Sequence, residues 1–285
     1  MIFNNIQKRT SVRTFLEKPL TKGDIEKVNG ILKETNNLKG PNGSSANFLL
    51  LNTSPNKDGN IAGTYGFIRN TQAYIAGTTF NSNEAVEDYG YLLEKIIIQL
   101  VELGLGSCWL GGTFKRSDFS TPLDLKKDYI IPAVLPVGYP VENRRNTEKL
   151  MRFVIKADKR LKWADLFYNK NFENGLTLGN LSGESASMLS AFESVRLAPS
   201  ASNKQPWRLI LDTEKKQVHF YLNEDPRYNG NKLGFSMQRL DIGIAMYHFE
   251  SVAEENGYSG NWLNQNPNIP LPDTNYKYIK TFIWK

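Results

Sequence analysis

The chain has little of what several classes of protein require. It contains one cysteine, Cys108, so it can form no internal disulfide and nothing points to an oxidising compartment. Its two histidines, His219 and His248, belong to no cluster with zinc-ligand spacing. No stretch approaches the roughly 20 apolar residues that span a bilayer, and the N-terminus has no apolar core of signal-peptide length. We therefore expect a cytoplasmic protein with no metal site and no membrane contact.

Charge is spread too evenly to indicate a nucleic-acid-binding protein. The sequence has 35 Lys+Arg against 29 Asp+Glu, a net charge of +6. The densest basic stretch, residues 144–162, also contains acidic and apolar residues, whereas nucleic-acid-binding proteins concentrate cations on one face. Such a stretch is typical of a solvated surface. The alternative is that a few of its cations meet an anionic cofactor.

Sequence motifs for several common chemistries are absent. There is no Gly-x-Ser-x-Gly elbow of a serine hydrolase and no phosphate-binding Gly-x-x-x-x-Gly-Lys-Ser/Thr loop. Gly104-Leu-Gly106 continues as Ser-Cys-Trp and follows a predicted helix, so it is not a dinucleotide-binding fingerprint.

Hydrophobic periodicity predicts a mixture of helices and strands. Residues 84–103 have the clearest helical spacing, and this helix is expected to end at Gly104. Pro132 and Pro136 make the strand predicted over 129–137 an edge strand or an irregular one. The other predicted helices are one that Thr21 caps, 185–197 and 238–255, and the other predicted strands are 47–52, 72–78, 208–212, 217–222 and 277–284.

The order of these elements repeats. A helix leads into Leu103–Trp109 in the first half and into Asn256–Trp262 in the second, and each segment contains Gly and ends in Trp. Gly40–Asn47 and Ala198–Trp207 each precede a predicted strand. The chain has 285 residues, more than most single domains. Two diverged copies of one α+β unit are therefore predicted, with residues 144–162 as the connection.

Two segments carry candidate binding residues. Arg9, Ser11 and Arg13 would project together from an extended segment, and two guanidinium groups with a hydroxyl suit a phosphate monoester. Surface arginines two residues apart are nevertheless common. In the loop 198–207, Asn203 and Gln205 offer donors and acceptors that suit the polar edge of a flavin, although the loop could simply be a turn between a helix and a strand.

Three motifs together resemble the nitroreductase family, over nearly the whole chain. Arg9-Thr-Ser-Val-Arg13-Thr-Phe looks like the Arg-x-Ser-x-Arg/Lys-x-Phe segment that opens these proteins. Pro199-Ser-Ala-Ser-Asn-Lys-Gln-Pro-Trp207 looks like their Pro-Ser-Ser-x-Asn-x-Gln-Pro-Trp loop. Leu103-Gly-Leu-Gly-Ser-Cys-Trp-Leu-Gly-Gly112 looks like their segment leading to the flavin N5.

The distribution of these motifs resembles that of fused family members. In ordinary members both motifs lie in one short chain, and the dimer builds each FMN site from two subunits. Here the first half has the arginine motif but its loop lacks Gln-Pro-Trp, and the second half has the loop but no arginine motif near Phe172. The resemblance implies a nitroreductase-like α+β fold with two tandem halves, residues 1–160 and 161–285. It also implies one FMN held between the halves and no need for a partner subunit, so a monomer is expected.

The resemblance implies a role for each matching residue. Arg9, Ser11 and Arg13 would bind the phosphate and ribityl chain. Ala201 replaces a usual Ser, and Gly111 replaces a frequent Glu, so the side-chain contacts of those positions are lost. The other implied FMN contacts are Leu110, Gly111 and Gly112 beside the isoalloxazine, Lys159 and Arg160 near the phosphate, and Pro199, Ser200, Ala201, Asn203 and Gln205 from the second half.

The implied activity is an FMN-dependent reduction of flat acceptors such as quinones or nitroaromatics, with NADH or NADPH as electron donor and ping-pong kinetics. No catalytic side chain is expected, because the flavin N5 carries the hydride. Two alternatives stay open. One is a flavin-binding sensor or storage protein without turnover, and the other is a basic interaction protein without a cofactor.

Overall fold

The computed structural model describes residues 1–52, 67–141, 159–180, 183–228 and 233–285. The chain divides into two compact units, Lys8–Ala157 and Met1–Gln7 with Asp158–Lys285. The sequence-based division placed the first seven residues with the first half, whereas the structure assigns them to the unit that contains the C-terminal end. Of the predicted connection 144–162, the part up to residue 158 lies outside the described residues.

Helices of the described residues range from one turn to five. No helix in these ranges is both long and apolar enough to cross a membrane. In chain order they are α1 Ile2–Lys8, α2 Lys22–Asn36, α3 Asn83–Glu102, α4 Ser117–Ser120, α5 Trp163–Leu166, α6 Glu184–Ser187, α7 Leu189–Leu197 and α8 Met237–Glu255, with 3₁₀ turns at Leu178–Asn180 and Ala201–Asn203.

The described residues contain ten strands, which form two sheets, one in each unit. In chain order the strands are β1 Asn47–Asn52, β2 Ala73–Phe80, β3 Gly106–Ser107, β4 Tyr129–Ile130, β5 Val134–Gly138, β6 Phe167–Asn169, β7 Trp207–Asp212, β8 Gln217–Asn223, β9 Gly260–Leu263 and β10 Tyr276–Trp284. The predicted mixture of helix and sheet is therefore confirmed.

The sheet of the Lys8–Ala157 unit has the order β1-β2-β5-β3, and β4 pairs with the end of β2. Every one of these pairs is antiparallel. The segment after α1 runs alongside β3, where Ser11 forms a parallel bridge to Ser107. The main chain of the arginine motif is thereby attached to the sheet.

The predicted long helix of this unit is confirmed as α3. The hydroxyl of Ser82 accepts a hydrogen bond from the amide of Ala85 and caps the first turn. Apolar positions along one face are fully buried, and the helix ends at Leu103 and Gly104. Gly104 has a φ of 73°, a left-handed conformation that favours glycine and commonly ends helices. This turn directs the chain into β3.

The strand predicted over 129–137 is irregular, as expected, but it is not an edge strand. It is divided into β4 and β5, with Pro132 in the break. β5 lies between β2 and β3 in the sheet. Pro136 is tolerated there because β3 pairs with β5 only at Val137 and Gly138, so no ladder bond from the proline nitrogen is needed on that side.

The sheet of the other unit has the order β6-β7-β8-β10-β9. β6 and β7 are parallel and the remaining pairs are antiparallel. The predicted pair over 208–212 and 217–222 is confirmed as β7 and β8. Strands β6 and β9 were not predicted. The predicted helix over 185–197 is interrupted at Met188 into α6 and α7.

Met1–Gln7 are held in this unit by hydrogen bonds from backbone amides to a side chain of α8. The amide of Ile2 donates to Oε1 of Glu255 at 2.6 Å, and the amide of Phe3 donates to Oε2 at 3.0 Å. The first amides of a helix have no partner within the helix. The carboxylate at the end of α8 therefore caps α1.

Both units hold the loop before their first long strand by an aspartate on their long helix. In one unit, the carboxylate of Asp88 accepts from the amides of Asn42 and Ser44 at 2.9 and 2.8 Å. In the other, Oδ1 of Asp241 accepts from the amide of Ala201 at 2.9 Å. The predicted correspondence of the loops Gly40–Asn47 and Ala198–Trp207 thus extends to their hydrogen bonds.

A tryptophan after each long helix repeats in the same way. Nε1 of Trp109 donates to Oε2 of Glu94 on α3, and Nε1 of Trp262 donates to Oε2 of Glu250 on α8, both at 2.7 Å. The two units therefore share side-chain contacts as well as element order, which supports their origin as two copies of one α+β unit.

Candidate functional site

The arginine motif lies along β3 in extended conformation from Ser11 onward. The amide of Val12 donates to the carbonyl of Ser107 at 2.8 Å, and the carbonyl of Arg13 accepts from the amide of Arg69 at 2.9 Å. Arg9 follows directly after α1. The predicted projection of these side chains in one direction requires an extended segment. The bridge of Ser11 to β3 and the hydrogen bond of Arg13 to Arg69 meet this condition from Ser11 onward.

Two guanidinium groups of this motif have buried donors without a hydrogen-bond acceptor. Among the described residues, neither Nη1 of Arg13 nor Nε of Arg9 has a hydrogen-bond partner. Arg9 forms an ion pair with Glu94, whose Oε1 lies 3.8 Å from its Nε. A buried unsatisfied donor costs about 1–3 kcal/mol, and more when it is charged. An anion with several acceptor oxygens would remove that cost, so this site fits a phosphate group.

Gly106 in β3 allows the arginine motif to approach the sheet. A Cβ atom at this position would lie 2.8 Å from Cγ2 of Val12, closer than real Cβ atoms come to their neighbours. Valine is β-branched and cannot move its methyl groups away without changing rotamer. The glycine is therefore required by packing at this point.

We expect Gly106→Ala to lower the free energy of unfolding by about 1–3 kcal/mol, the usual cost of overpacking. Adding Val12→Ala to the same chain should restore most of the loss, because it removes the two methyl groups. Urea denaturation measures both. Gly112→Ala is the matched control, since nothing lies within 4 Å of its Cβ position. Equal stability of Gly106→Ala and Gly112→Ala would contradict this packing.

Residues 110–112 follow β3 directly. The amide and carbonyl of Leu110 are both bonded to Val134 at 3.0 Å, and its side chain is buried in the core of the unit. In the described part of the chain, the amides of Gly111 and Gly112 donate no hydrogen bond. Leu110 thus anchors the segment, and the two glycine amides remain as donors that a ligand can use.

Arg116 holds this segment in place and was not singled out from the sequence. Its Nη2 donates to the carbonyls of Gly111 at 2.6 Å and Pro132 at 3.1 Å, and its Nε donates to the carbonyl of Ile131 at 3.1 Å. Burial lowers the pKa of Arg116 from its usual value. The group remains a cation, because an arginine is not deprotonated in proteins.

The loop Pro199–Trp207 of the other unit has an unusual backbone. Ser202, Asn203 and Gln205 have φ values of 49°, 55° and 50°. Residues other than glycine adopt this conformation rarely and at some energetic cost. Hydrogen bonds within the loop hold it, among them that from the amide of Gln205 to the hydroxyl of Ser200 at 2.8 Å. Local strain of this kind concentrates at binding sites.

Side-chain amides connect this loop to the predicted basic pair. The carbonyl of Lys159 accepts from Nδ2 of Asn203 at 2.8 Å, and Nη1 of Arg160 donates to Oδ1 of Asn203 at 3.2 Å. Gln205 is buried, and its Oε1 accepts from the amide of Leu161 at 2.9 Å. The structure therefore places the basic pair beside the loop and gives both amide side chains a role in fixing its shape.

Behind the loop, Asp241 of α8 is fully buried. Burial raises its pKa to about 8, although the hydrogen bond from Ala201 acts in the opposite direction. Its Oδ2 has no hydrogen-bond partner among the described residues. The hydroxyl of Tyr228 lies 3.0 Å from that of Ser202, and burial raises the pKa of Tyr228, although this hydrogen bond acts in the opposite direction. At neutral pH we therefore expect a protonated Asp241.

The predicted residues thus fall into two clusters, one in each unit. One comprises Arg9, Ser11, Arg13 and residues 110–112, and the other comprises Lys159, Arg160 and the predicted residues of the loop Pro199–Trp207.

Residues 1–253 of the chain match the model of a family described as "Putative TM nitroreductase". The chain belongs to the nitroreductase family. A "putative nitroreductase" from Thermotoga maritima has a crystal structure that shares this fold. It is 18% identical, with a TM-score of 0.61 over 99% of this chain and 93% of that one.

Other solved nitroreductase-family structures match about half of the chain. An FMN-dependent nitroreductase from Clostridium difficile is 22% identical over 52% of this chain and 94% of its own, with a TM-score of 0.40. A "putative NADH dehydrogenase/NAD(P)H nitroreductase" from Bacteroides thetaiotaomicron is 19% identical over 50% and 89%, also at 0.40. No curated protein matches the chain.

For this nitroreductase-family protein, the sequence pointed to the segments of both clusters but not to the side chains that hold them. Glu94, Arg116 and Asp241 were all missed. Glu94 and Asp241 carried one usable signal, an acidic residue on an otherwise buried helix face. Acidic residues are almost never fully buried unless they have a partner, so an acidic residue at a buried position of a helix indicates a specific contact.

Proposed function

We propose that the protein is an FMN-dependent oxidoreductase that takes electrons from NADH or NADPH and passes them to a flat acceptor such as a quinone or a nitroaromatic compound. The observation that carries this proposal concerns Arg13 of the Arg-x-Ser-x-Arg motif, whose Nη1 is buried and has no hydrogen-bond partner in the part of the chain that the structure describes. FMN would supply the two-electron chemistry. The protein would bind FMN and hold it in position.

The arginine motif is the proposed phosphate site. A guanidinium group forms charge-assisted hydrogen bonds with phosphate oxygens, and these are stronger than bonds between neutral groups. Arg9 and Arg13 would provide the cations and Ser11 a hydroxyl between them. The main chain is fixed at Ser11, which bridges to Ser107 of β3, and at Arg13, whose carbonyl accepts from the amide of Arg69, so little conformational freedom of the segment would be lost when an anion binds.

Residues 110–112 are the proposed contact with the flavin ring. Leu110 is immobilised by its two bonds to Val134, and Arg116 holds the carbonyl of Gly111. The amides of Gly111 and Gly112 are then oriented donors for the ring edge near N5. With no side chain at either glycine, this segment would leave the ring accessible to a nicotinamide and later to an acceptor.

The loop Pro199–Trp207 and the basic pair are proposed as further FMN ligands. We propose that Pro199, Ser200 and Ala201 contact the cofactor, and that Asn203 and Gln205 shape the loop through the bonds described above. Lys159 and Arg160 would add positive charge near an anionic cofactor. Because each motif is present once, we propose one FMN per chain, in a protein that functions as a monomer.

The first test is titration of the purified full chain with FMN, followed by fluorescence. We expect saturation at one FMN per chain, because the sequence contains one arginine motif and one Pro-Ser-Ala-Ser-Asn loop. Saturation at two would contradict the single set of ligands, and no binding at all would remove the flavin from the proposal.

The second test is reduction. We expect NADH or NADPH to bleach the bound flavin under anaerobic conditions, and a quinone or nitroaromatic compound to restore its absorbance. Because donor and acceptor would use the same exposed ring, the kinetics should be ping-pong. Stopped-flow absorbance measures both half-reactions. A flavin that binds but is not bleached by either nucleotide at millimolar concentration would instead support a sensor or storage protein.

A further inference from the structure

We propose that Glu94 is a positioning residue that orients Arg9 and Trp109 together, and so connects recognition of the cofactor phosphate with the segment that contacts the flavin ring. This inference rests on the proposed FMN site. It concerns a buried carboxylate on α3 that belongs to none of the three motifs.

Glu94 lies between two segments that are separated by about a hundred positions in the sequence. Its Oε1 is 3.8 Å from Nε of Arg9, and its Oε2 accepts from Nε1 of Trp109 at 2.7 Å. The carboxylate is fully buried, and the Arg9 side chain is 9% exposed. Trp109 directly precedes Leu110–Gly112. One carboxylate thus contacts both the phosphate motif and the base of the ring-contact segment.

The two carboxylate oxygens of Glu94 contact different partners. Oε1 offers a negative charge to a buried guanidinium, and an ion pair of this kind restricts the directions in which the remaining N–H groups point. Oε2 fixes an indole ring through one short hydrogen bond, which in turn limits the rotation of Trp109. Glu94 lies on α3, a helix of five turns, so the position of its main chain is fixed. Its side chain therefore holds Arg9 and Trp109 relative to the same point of the fold.

Glu94 could also act simply as a competitor, because its negative charge opposes a phosphate at Arg9. The two roles predict opposite effects of Glu94→Gln. The amide retains an acceptor for Trp109 and has nearly the same shape, but it lacks the charge. If orientation dominates, FMN binds less tightly to the variant. If competition dominates, FMN binds more tightly.

Riboflavin separates the phosphate contact from the ring contact, because it has the ring and ribityl chain but no phosphate. We expect Glu94→Gln to raise the Kd for FMN about tenfold, the change expected from one charge-assisted contact. The Kd for riboflavin should change less than about twofold. Glu102→Gln is the matched control, since Glu102 is an exposed residue at the end of the same helix. Its two Kd values should equal those of the wild type.

Trp109→Phe tests the other contact and leaves the carboxylate in place. Loss of the indole donor should raise the Kd for riboflavin, because the ring-contact segment is released. It should raise the Kd for FMN by a larger factor, because the carboxylate that loses its bond to Trp109 then also orients Arg9 less well. An equal factor for the two flavins would contradict the connection. Fluorescence titration with each flavin gives the Kd values of the wild type and of every variant, and thermal unfolding reports whether each variant is folded. Should Glu94→Gln fail to fold, Trp109→Phe remains a test of the connection.

The outcomes separate this inference from the proposed function. Wild-type protein that binds neither flavin overturns both. Wild-type protein that binds FMN, together with Glu94→Gln that binds it equally well or more tightly, overturns the positioning role and leaves the proposed function standing. Trp109→Phe that leaves both Kd values unchanged also overturns it. A loss of FMN affinity with unchanged riboflavin affinity supports it, as a general loss of structure would weaken both.

Discussion

Replacing Arg13 by alanine is expected to weaken FMN binding by about 1.5–3 kcal/mol, the usual contribution of a hydrogen bond to a charged group. Nη1 of Arg13 is buried and has no hydrogen-bond partner among the described residues. A phosphate oxygen would therefore satisfy a donor that the fold leaves without an acceptor. The measurement is a fluorescence titration of wild type and variant with FMN at fixed ionic strength.

Lysine at position 13 provides a second point in the same titration. It retains the positive charge but not the planar arrangement of donors, so we expect an intermediate affinity. Arg227→Ala is the control for net charge, because the Arg227 side chain is 94% exposed. Unchanged FMN affinity in folded Arg13→Ala would remove this residue from the site. An equal loss in Arg227→Ala would show that net charge alone is responsible.

Asp241 is expected to make the stability of the protein fall as the pH rises from about 4 to about 8. Its pKa is about 8 in the folded chain, against 3.8 for an ordinary aspartate. Between these values the unfolded chain has lost the proton that the folded chain retains, so rising pH favours unfolding. The slope from one such group is about 1.4 kcal/mol per pH unit, and it ends when the folded state also ionises, above about pH 8.

Asp241→Asn should remove this dependence. Asparagine is always neutral, and its side-chain oxygen can still accept from the amide of Ala201. We expect the variant to match the wild type below about pH 3.5, where the unfolded chain also keeps the proton, and to become progressively more stable than it towards pH 8. Urea denaturation at several pH values measures the difference. Glu254→Gln, an exposed change on the same helix, should leave the slope intact. Parallel curves for wild type and Asp241→Asn would show that Asp241 is ionised in the folded chain.

Local signals in the sequence were sufficient for the long helices and for the repeat. The apolar spacing of α3 and the glycine after it are properties of consecutive residues, and Gly104 does adopt the expected conformation. The interrupted strand around Pro132 was recognised for the same reason, since proline lacks a backbone donor. The central position of β5 in the sheet was not predicted, because the position of a strand in a sheet depends on partners that are distant in sequence.

The contacts that hold the candidate site are mostly long-range, and this is why the sequence did not reveal them. Asp241 meets Ala201 across 40 positions, and Arg116 reaches the carbonyl of Pro132 across 16. An acidic or basic residue taken alone is far more often solvated than buried. The motifs identified the segments that carry Arg13 and Gly111, whereas only the structure shows how Glu94 and Arg116 support them.

The cap that Glu255 provides for α1 has a consequence for how the chain is made. Ile2 and Glu255 are 253 positions apart. At the usual 5–20 residues per second, a ribosome needs about 13–50 s to proceed from Ile2 to Glu255. Helix α1 therefore leaves the ribosome well before the carboxylate that caps it is synthesised. Its residues can reach their final place only after Glu255 has been made.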